Sequence, residues 1–263
     1  MCNEGGISTL LRNTRRGINM RIALMVLRKL FLVPFLFFRI CRAAKRYNGD
    51  YMPGFLVAKE IATHAIQAGN ITLEVHGLEN IPEKDGFIFY PNHQGLFDSL
   101  TFFSSCPRPF ALVIKKEASK VILLKQVLEA TGSLAMDRED LRQSMQVINQ
   151  VAVEVAEGRN YIIFAEGHRS HEGNKPQEFK AGSFKAAQKA KCPIVPCALI
   201  NCFVPFDENS IRQVTVKLIY MKPMYYEEYK NMKSAALAAE VKRRIEETIA
   251  VYEEKTPLSE GIE

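Results

Sequence analysis

Tryptophan is missing from all 263 residues, and acidic side chains are almost missing from one end of them. The first absence excludes nothing. The second is informative, because residues 1–47 hold ten Lys or Arg against the single acid Glu4, a formal charge of +9. The whole chain is +6, so the rest is net acidic at −3. There is no C-x-x-C among the six cysteines (Cys2, Cys41, Cys106, Cys192, Cys197, Cys202) and no dense spacing. That pattern excludes a disulfide scaffold and fits reduced thiols in a cytosolic setting. The strained G-x-S-x-G elbow of serine hydrolases is absent too, which weakens that reading. Within the basic segment the longest apolar run is Leu30–Phe38, well short of the roughly 20 residues that span a bilayer.

A one-sided basic segment is an arm for a polyanion, either nucleic acid or an anionic bilayer. Its neighbours choose between them. Residues 20–42 read MRIALMVLRKLFLVPFLFFRICR, and at helical pitch Arg21, Arg28, Lys29, Arg39 and Arg42 share an arc of about 140° beside a wide apolar face. This predicts a helix lying in the membrane interface, kinked at Pro34, with its charges toward lipid phosphates. The expected setting is peripheral, on the cytoplasmic face of the cell membrane. The plain alternative is a helix packed on the protein's own core. Arg28 and Lys29 inside the apolar stretch, and no A-x-A after it, argue against a signal peptide. A nucleic-acid partner is disfavoured, since Leu and Phe fill the arm and the remainder is acidic. Residues 1–19 are expected to be a poorly ordered basic tail.

From residue 55 a second amphipathic helix runs to 68, stopped by Gly69-Asn70. Strands then alternate with helices. Strands are expected at 71–78, 86–90, 110–114, 161–164, 194–200 and 214–220, the last closing the sheet. Helices are expected near 118–130 and at 139–157, 182–190 and 233–254. The expected architecture is a single α/β domain over 71–263 with a mixed, largely parallel sheet, preceded by amphipathic membrane-binding helices over 20–70.

Reactive groups in such sheets collect where strands end. In YPNHQGLFDSL (90–100), His93 follows a buried strand and Asp98 lies five residues on, where a helix begins. On one straight helix the two would point about 140° apart, so they can meet only if His93 sits in the turn ahead of it. A carboxylate on one imidazole nitrogen fixes the tautomer and leaves the other nitrogen to accept a proton. GSLAMDR (132–138) ends in Arg138. FAEGHRS (164–170) brings Glu166, Gly167 and Arg169 to a strand end, where an acid, a flexible backbone and a guanidinium can bind a hydroxyl and a phosphate. An Arg169–Glu166 ion pair is the structural alternative. VPCAL (195–199) reads as packing. His168 and His171 form H-x-x-H without further ligand spacing, so no metal is expected.

The ordered set NHQGLFD, GSLAMDR, FAEGHRS and VPCAL resembles the glycerolipid acyltransferases that make phosphatidic acid from lysophosphatidic acid, over residues 70–220. What the resemblance implies is a 1-acylglycerol-3-phosphate O-acyltransferase with His93 as general base and Asp98 as its orienting partner. Arg138 and Arg169 would hold the acceptor's phosphate, Glu166 and Gly167 would shape the acceptor site, and Lys115 matches a basic position. The co-substrate would be an acyl thioester, acyl-CoA or acyl carrier protein, with no other cofactor. Ala165 replaces the usual Pro and His168 the commoner Thr. Acylation of another lysophospholipid or of glycerol 3-phosphate, or a non-catalytic membrane-surface module, are the alternatives.

Overall fold

Alternating side chains divide each central strand between two cores. In β2 (Ile88–Pro91) Phe89 faces one side and Ile88 and Tyr90 the other. In β6 (Ile194–Ile200) Val195, Cys197 and Leu199 oppose Ile194, Ala198 and Ile200. Strands buried on both faces must be covered on both faces, and the computed structural model, which describes residues 19–254, shows this. The remaining strands are β1 (Ile71–His76), β3 (Ala111–Lys115), β4 (Leu134–Met136), β5 (Tyr161–Ile163) and β7 (Val214–Tyr220). They form one sheet in the order β1-β7-β6-β2-β5-β3-β4, parallel except where β6 meets β7. The carboxyl ends of five neighbouring strands, β6 to β4, therefore lie along one edge. β1 is the border strand and β7 lies inside it, so the 214–220 strand does not close the sheet.

One face is covered by α3 (Met52–Ala68), α4 (Phe97–Ser105) and α5 (Leu124–Ala130), which contribute Phe55, Phe102, Phe103, Val127 and Leu128. The other is covered by α6 (Leu141–Ala156), α7 (Ala181–Ala190) and α10 (Ser234–Glu254); the single turns α8 (Val204–Asp207) and α9 (Tyr226–Tyr229) complete the chain. Gly54 makes the α3–α5 contact possible, because a Cβ there would lie 2.0 Å from the Ala130 carbonyl oxygen.

The amino-terminal segment differs from its expected single helix. It forms α1 (Met20–Arg28) and α2 (Leu32–Arg46). A proline clashes with the carbonyl four residues earlier, here that of Leu30, so the break falls at 29–31 and Pro34 is left in the first turn of α2, where it is tolerated. The orientation differs as well. Arg21 is only 1% exposed, and it donates to the backbone oxygens of Gly69 (2.6 Å), Asn70 (3.4 Å) and Arg212 (2.8 Å). Arg28 bonds Ala68 O and Asn70 Oδ1, and Arg39 pairs with Glu60. The stripe is thus largely turned toward the protein, because unsatisfied loop carbonyls and a carboxylate outcompete water for these guanidiniums. What faces out is apolar, with Phe31 at 94% exposure and Leu27, Leu30, Phe35 and Phe38 beside it. Of the segment 20–70, α3 is built into the core apart from Met52 and Leu56, and the larger exposed apolar side belongs to α1 and α2. Among the described residues no helix is long and apolar enough to cross a membrane.

Candidate active site

β2 ends at Pro91, which has no N–H to extend a ladder. Asn92 replaces the ladder: its side-chain oxygen accepts from Leu199 N (2.7 Å) and its amide donates to Leu199 O (3.0 Å), mimicking one more strand residue. Gln94 does the same further along, accepting from Cys202 N at 2.7 Å and donating to Asn174 Oδ1 at 2.8 Å. Pinned on both sides, His93 sits in a turn before α4, and Asp98 lies in that helix's first turn, where the dipole favours a carboxylate.

His93 Nδ1 and Asp98 Oδ2 are 2.7 Å apart. The same Oδ2 accepts from Gln94 N (2.7 Å) and Gly95 N (3.0 Å), so three donors converge on one oxygen of a side chain with no exposed surface. An ionised carboxylate only accepts, so in the neutral imidazole Nδ1 carries the hydrogen and Nε2 keeps its lone pair. Nε2 has no partner among the described residues, and the His93 side chain is 21% exposed. The Phe164 ring packs against the imidazole at 4.3 Å between centroids and limits its rotation.

The FAEGHRS loop, after β5, brackets the same residue. Glu166 Oε1 accepts from His93 N (2.6 Å), Oε2 accepts from Gln177 N (2.8 Å), and Ser170 N donates to His93 O (2.8 Å). Glu166 is fully buried, and burial raises its pKa against the opposing pull of those two N–H groups. Both its oxygens are occupied by backbone, and it holds two loops together. Nor does it pair with Arg169. Gly167 takes φ +82°, which an L side chain rarely adopts, and its N–H closes a turn onto Phe164 O at 3.3 Å.

Of the three basic residues, Lys115 and Arg138 stand on the β3–β4 side of His93, while Arg169 reaches the other way, to Asp207 after β6. Lys115 ends β3 in register with Met136 of β4, two residues before Arg138, so both project from adjacent strand ends. Lys115 is paired with Glu117 at 3.5 Å. Desolvation lowers the pKa of the Arg138 guanidinium, with Glu117 opposing it. Arg169 Nη1 is held by both carboxylate oxygens of Asp207 at 2.8 and 3.1 Å. Such a part-exposed pair is worth little and can yield to a phosphate. His168 lines a separate concavity with Lys175, Lys180 and Lys242. Among the described residues no group of three His, Cys, Asp or Glu could hold a metal ion.

Residues 72–200 match the family model described as Acyltransferase. They form an acyltransferase-family domain. The chain is similar to the 1-acyl-sn-glycerol-3-phosphate acyltransferase of Borreliella burgdorferi, 29% identical over 157 residues that cover 60% of this chain and 62% of that one. It is similar in the same degree, 29% over 164 residues, to the enzyme of that name from Salmonella typhimurium, covering 62% of this chain and 66% of the relative. It thus spans a little under two thirds of the length of these relatives. The fold is similar to the crystal structure of the 1-acyl-sn-glycerophosphate (LPA) acyltransferase PlsC from Thermotoga maritima, with a TM-score of 0.70 and 20% identity over 92% of this chain and 98% of that chain. Around the site, sequence reasoning missed Asn92, Gln94, Phe164 and Asn174 within the acyltransferase domain, and Asp207 just beyond it. Asn92 and Gln94 flank His93 directly, and two amides around a loop histidine are a usable signal for side-chain anchoring of that loop; Asp207 gives none, since nothing in its local pattern points to residue 169.

Proposed function

We propose that the protein transfers a fatty acyl chain from an acyl thioester to the sn-2 hydroxyl of lysophosphatidic acid, giving phosphatidic acid, at a membrane surface met by α1 and α2. The observation that carries the reading is the 2.7 Å His93–Asp98 contact with Nε2 unpartnered and reachable. Nε2 takes the acceptor's hydroxyl proton as that oxygen forms its bond to the thioester carbonyl carbon. Asp98 stabilises the imidazolium. The carbon–sulfur bond breaks, the thiolate leaves, and the imidazolium returns the proton to it. No acyl-enzyme and no further cofactor are needed. Arg138, Arg169 and Lys115, along the same edge, supply positive charge for the acceptor's phosphate.

The test is purified protein with acyl-CoA or acyl carrier protein and a panel of lysophosphatidic acid, glycerol 3-phosphate and other lysophospholipids, products measured by mass. Phosphatidic acid should dominate, and His93→Ala should abolish it while vesicle binding persists. Turnover retained in that variant would remove the general-base role, and preference for an acceptor without a phosphomonoester would remove the acceptor assignment.

A further inference from the structure

The segment between β3 and α5 was expected to be helical from about 118. It makes instead a single 3-10 turn, Ala118–Lys120, and then an open run, Val121, Ile122 and Leu123, before α5 starts at Leu124. All three residues of the run are exposed, Ile122 at 77%. Leu123 takes φ +71°, a conformation a branched side chain resists. Consecutive exposed apolar residues on a strained turn are costly in water unless something covers them.

Three observations say what that cover is. First, the turn leads into α5, which packs along α2. The carboxyl ends of α2 and α5 meet, with Tyr47 beside Gly132. At 1.5 Å per residue the seven-residue α5 then places its start about level with residue 40 of α2, and the turn beyond it toward Phe38 and Phe35. The exposed apolar side of α2 and the 121–123 run thus belong to one flank of the molecule. Second, lysines frame the run: Lys116, Lys120 and Lys125 are all exposed, Lys116 pairing with Asp137 and Lys125 with Glu129, while among the described residues no ion pair occupies Lys120. Apolar tips framed by cations suit an anionic lipid surface and not an apolar protein groove. Third, the turn follows Lys115 at the carboxyl edge of the sheet, the edge that carries His93 and Arg138.

Resting on the acyl-transfer reading above, we infer that Val121, Ile122 and Leu123 insert into the bilayer as a second anchor, separate from α1 and α2, and hold the basic strand ends at the lipid surface so that a lysolipid reaches His93 without leaving the membrane.

The absence of tryptophan makes a direct test possible. Ile122→Trp gives a single-tryptophan protein, and Val153→Trp, at an exposed apolar position on α6 across the sheet, is the control. On phosphatidylglycerol vesicles, emission from position 122 should shift to the blue and be quenched by lipids brominated near the headgroup, while emission from 153 should not change. Ile122→Asp, at a position that packs little, should fold and bind these vesicles about tenfold or more weakly, the cost of withholding one large apolar side chain from lipid. Its activity should fall as far on bilayer-embedded lysophosphatidic acid and stay at the wild-type level on a short-chain form monomeric in solution. Unchanged emission at 122 while the protein floats with the vesicles would overturn the inference, and so would equal activity of Ile122→Asp on both acceptors. Insertion at 122 in a protein inactive toward every acceptor would overturn the acyl-transfer reading and leave the anchor standing.

Discussion

Two carboxylates near one imidazole do different work, and the difference is decided by what each faces. Asp98 presents one oxygen to the ring and to two peptide N–H groups. Asp98→Asn would put an amide where that oxygen collects three hydrogens, or turn the ring to its other tautomer. The rate constant kcat should fall by about 10²–10⁴, with the acceptor's KM little changed, in steady-state assays. Glu166 holds backbone alone, and its pKa is raised by burial. The folded state therefore keeps its proton to higher pH than the unfolded chain does. Its contribution to stability is greatest below the unfolded value and declines as pH rises through the folded one. Glu166→Gln cannot accept both N–H groups, so activity should fall as the His93 loop loosens. Relative to wild type, however, its urea midpoint should improve between about pH 4 and pH 7, because Gln never carries the charge that burial penalises. A relative midpoint that worsens over that range would contradict the buried-acid account.

At the scale of elements, the sheet strands were legible because period-2 burial and β-branched runs are local signals, whereas the three-residue β4 lay inside a segment that reads as a loop. The two-helix form of residues 20–46 was legible as to proline but not as to where the break falls, since the clash is with a carbonyl four residues back. The inward turn of Arg21 and Arg28 was invisible, because their partners are the backbone oxygens of residues 68–70 and 212 and the side chain of Asn70, all distant in sequence. The His93–Asp98 spacing allowed a meeting but could not supply it; the turn depends on Asn92 reaching Leu199, 107 residues away. Gly54 belongs here too. With its Cβ position 2.0 Å from a carbonyl oxygen, Gly54→Ala must push α3 off α5. A loss of about 1–3 kcal/mol is expected from denaturant titration, in place of the gain that Gly to Ala normally brings inside a helix. Arg21→Met should cost a similar amount, about 2–3 kcal/mol, because carbonyls that shared one guanidinium are left without a donor.

Over the whole molecule, the five cysteines among the described residues divide by depth. Burial pushes the thiols of Cys106 up to about 11 and of Cys192 up to about 12, and raises those of Cys197 and Cys202 well above the ordinary range. Thiolate is the reactive form, so at pH 8 these four should stay unlabelled by a thiol reagent in the native protein and react together on unfolding, while Cys41, partly exposed on α2, reacts at once. Early labelling of any of the four, followed by mass mapping, would show that the core opens locally below global unfolding.

The outward grease of α1 and α2 has a consequence for handling. Arg21 and Arg28 fasten α1, and Arg39 ties α2 to Glu60, so Phe31, Leu27 and Phe38 cannot fold away when lipid is withdrawn. In detergent-free buffer copies of the protein should clump through those tips, and light scattering should report particles that dissolve when micelles are restored.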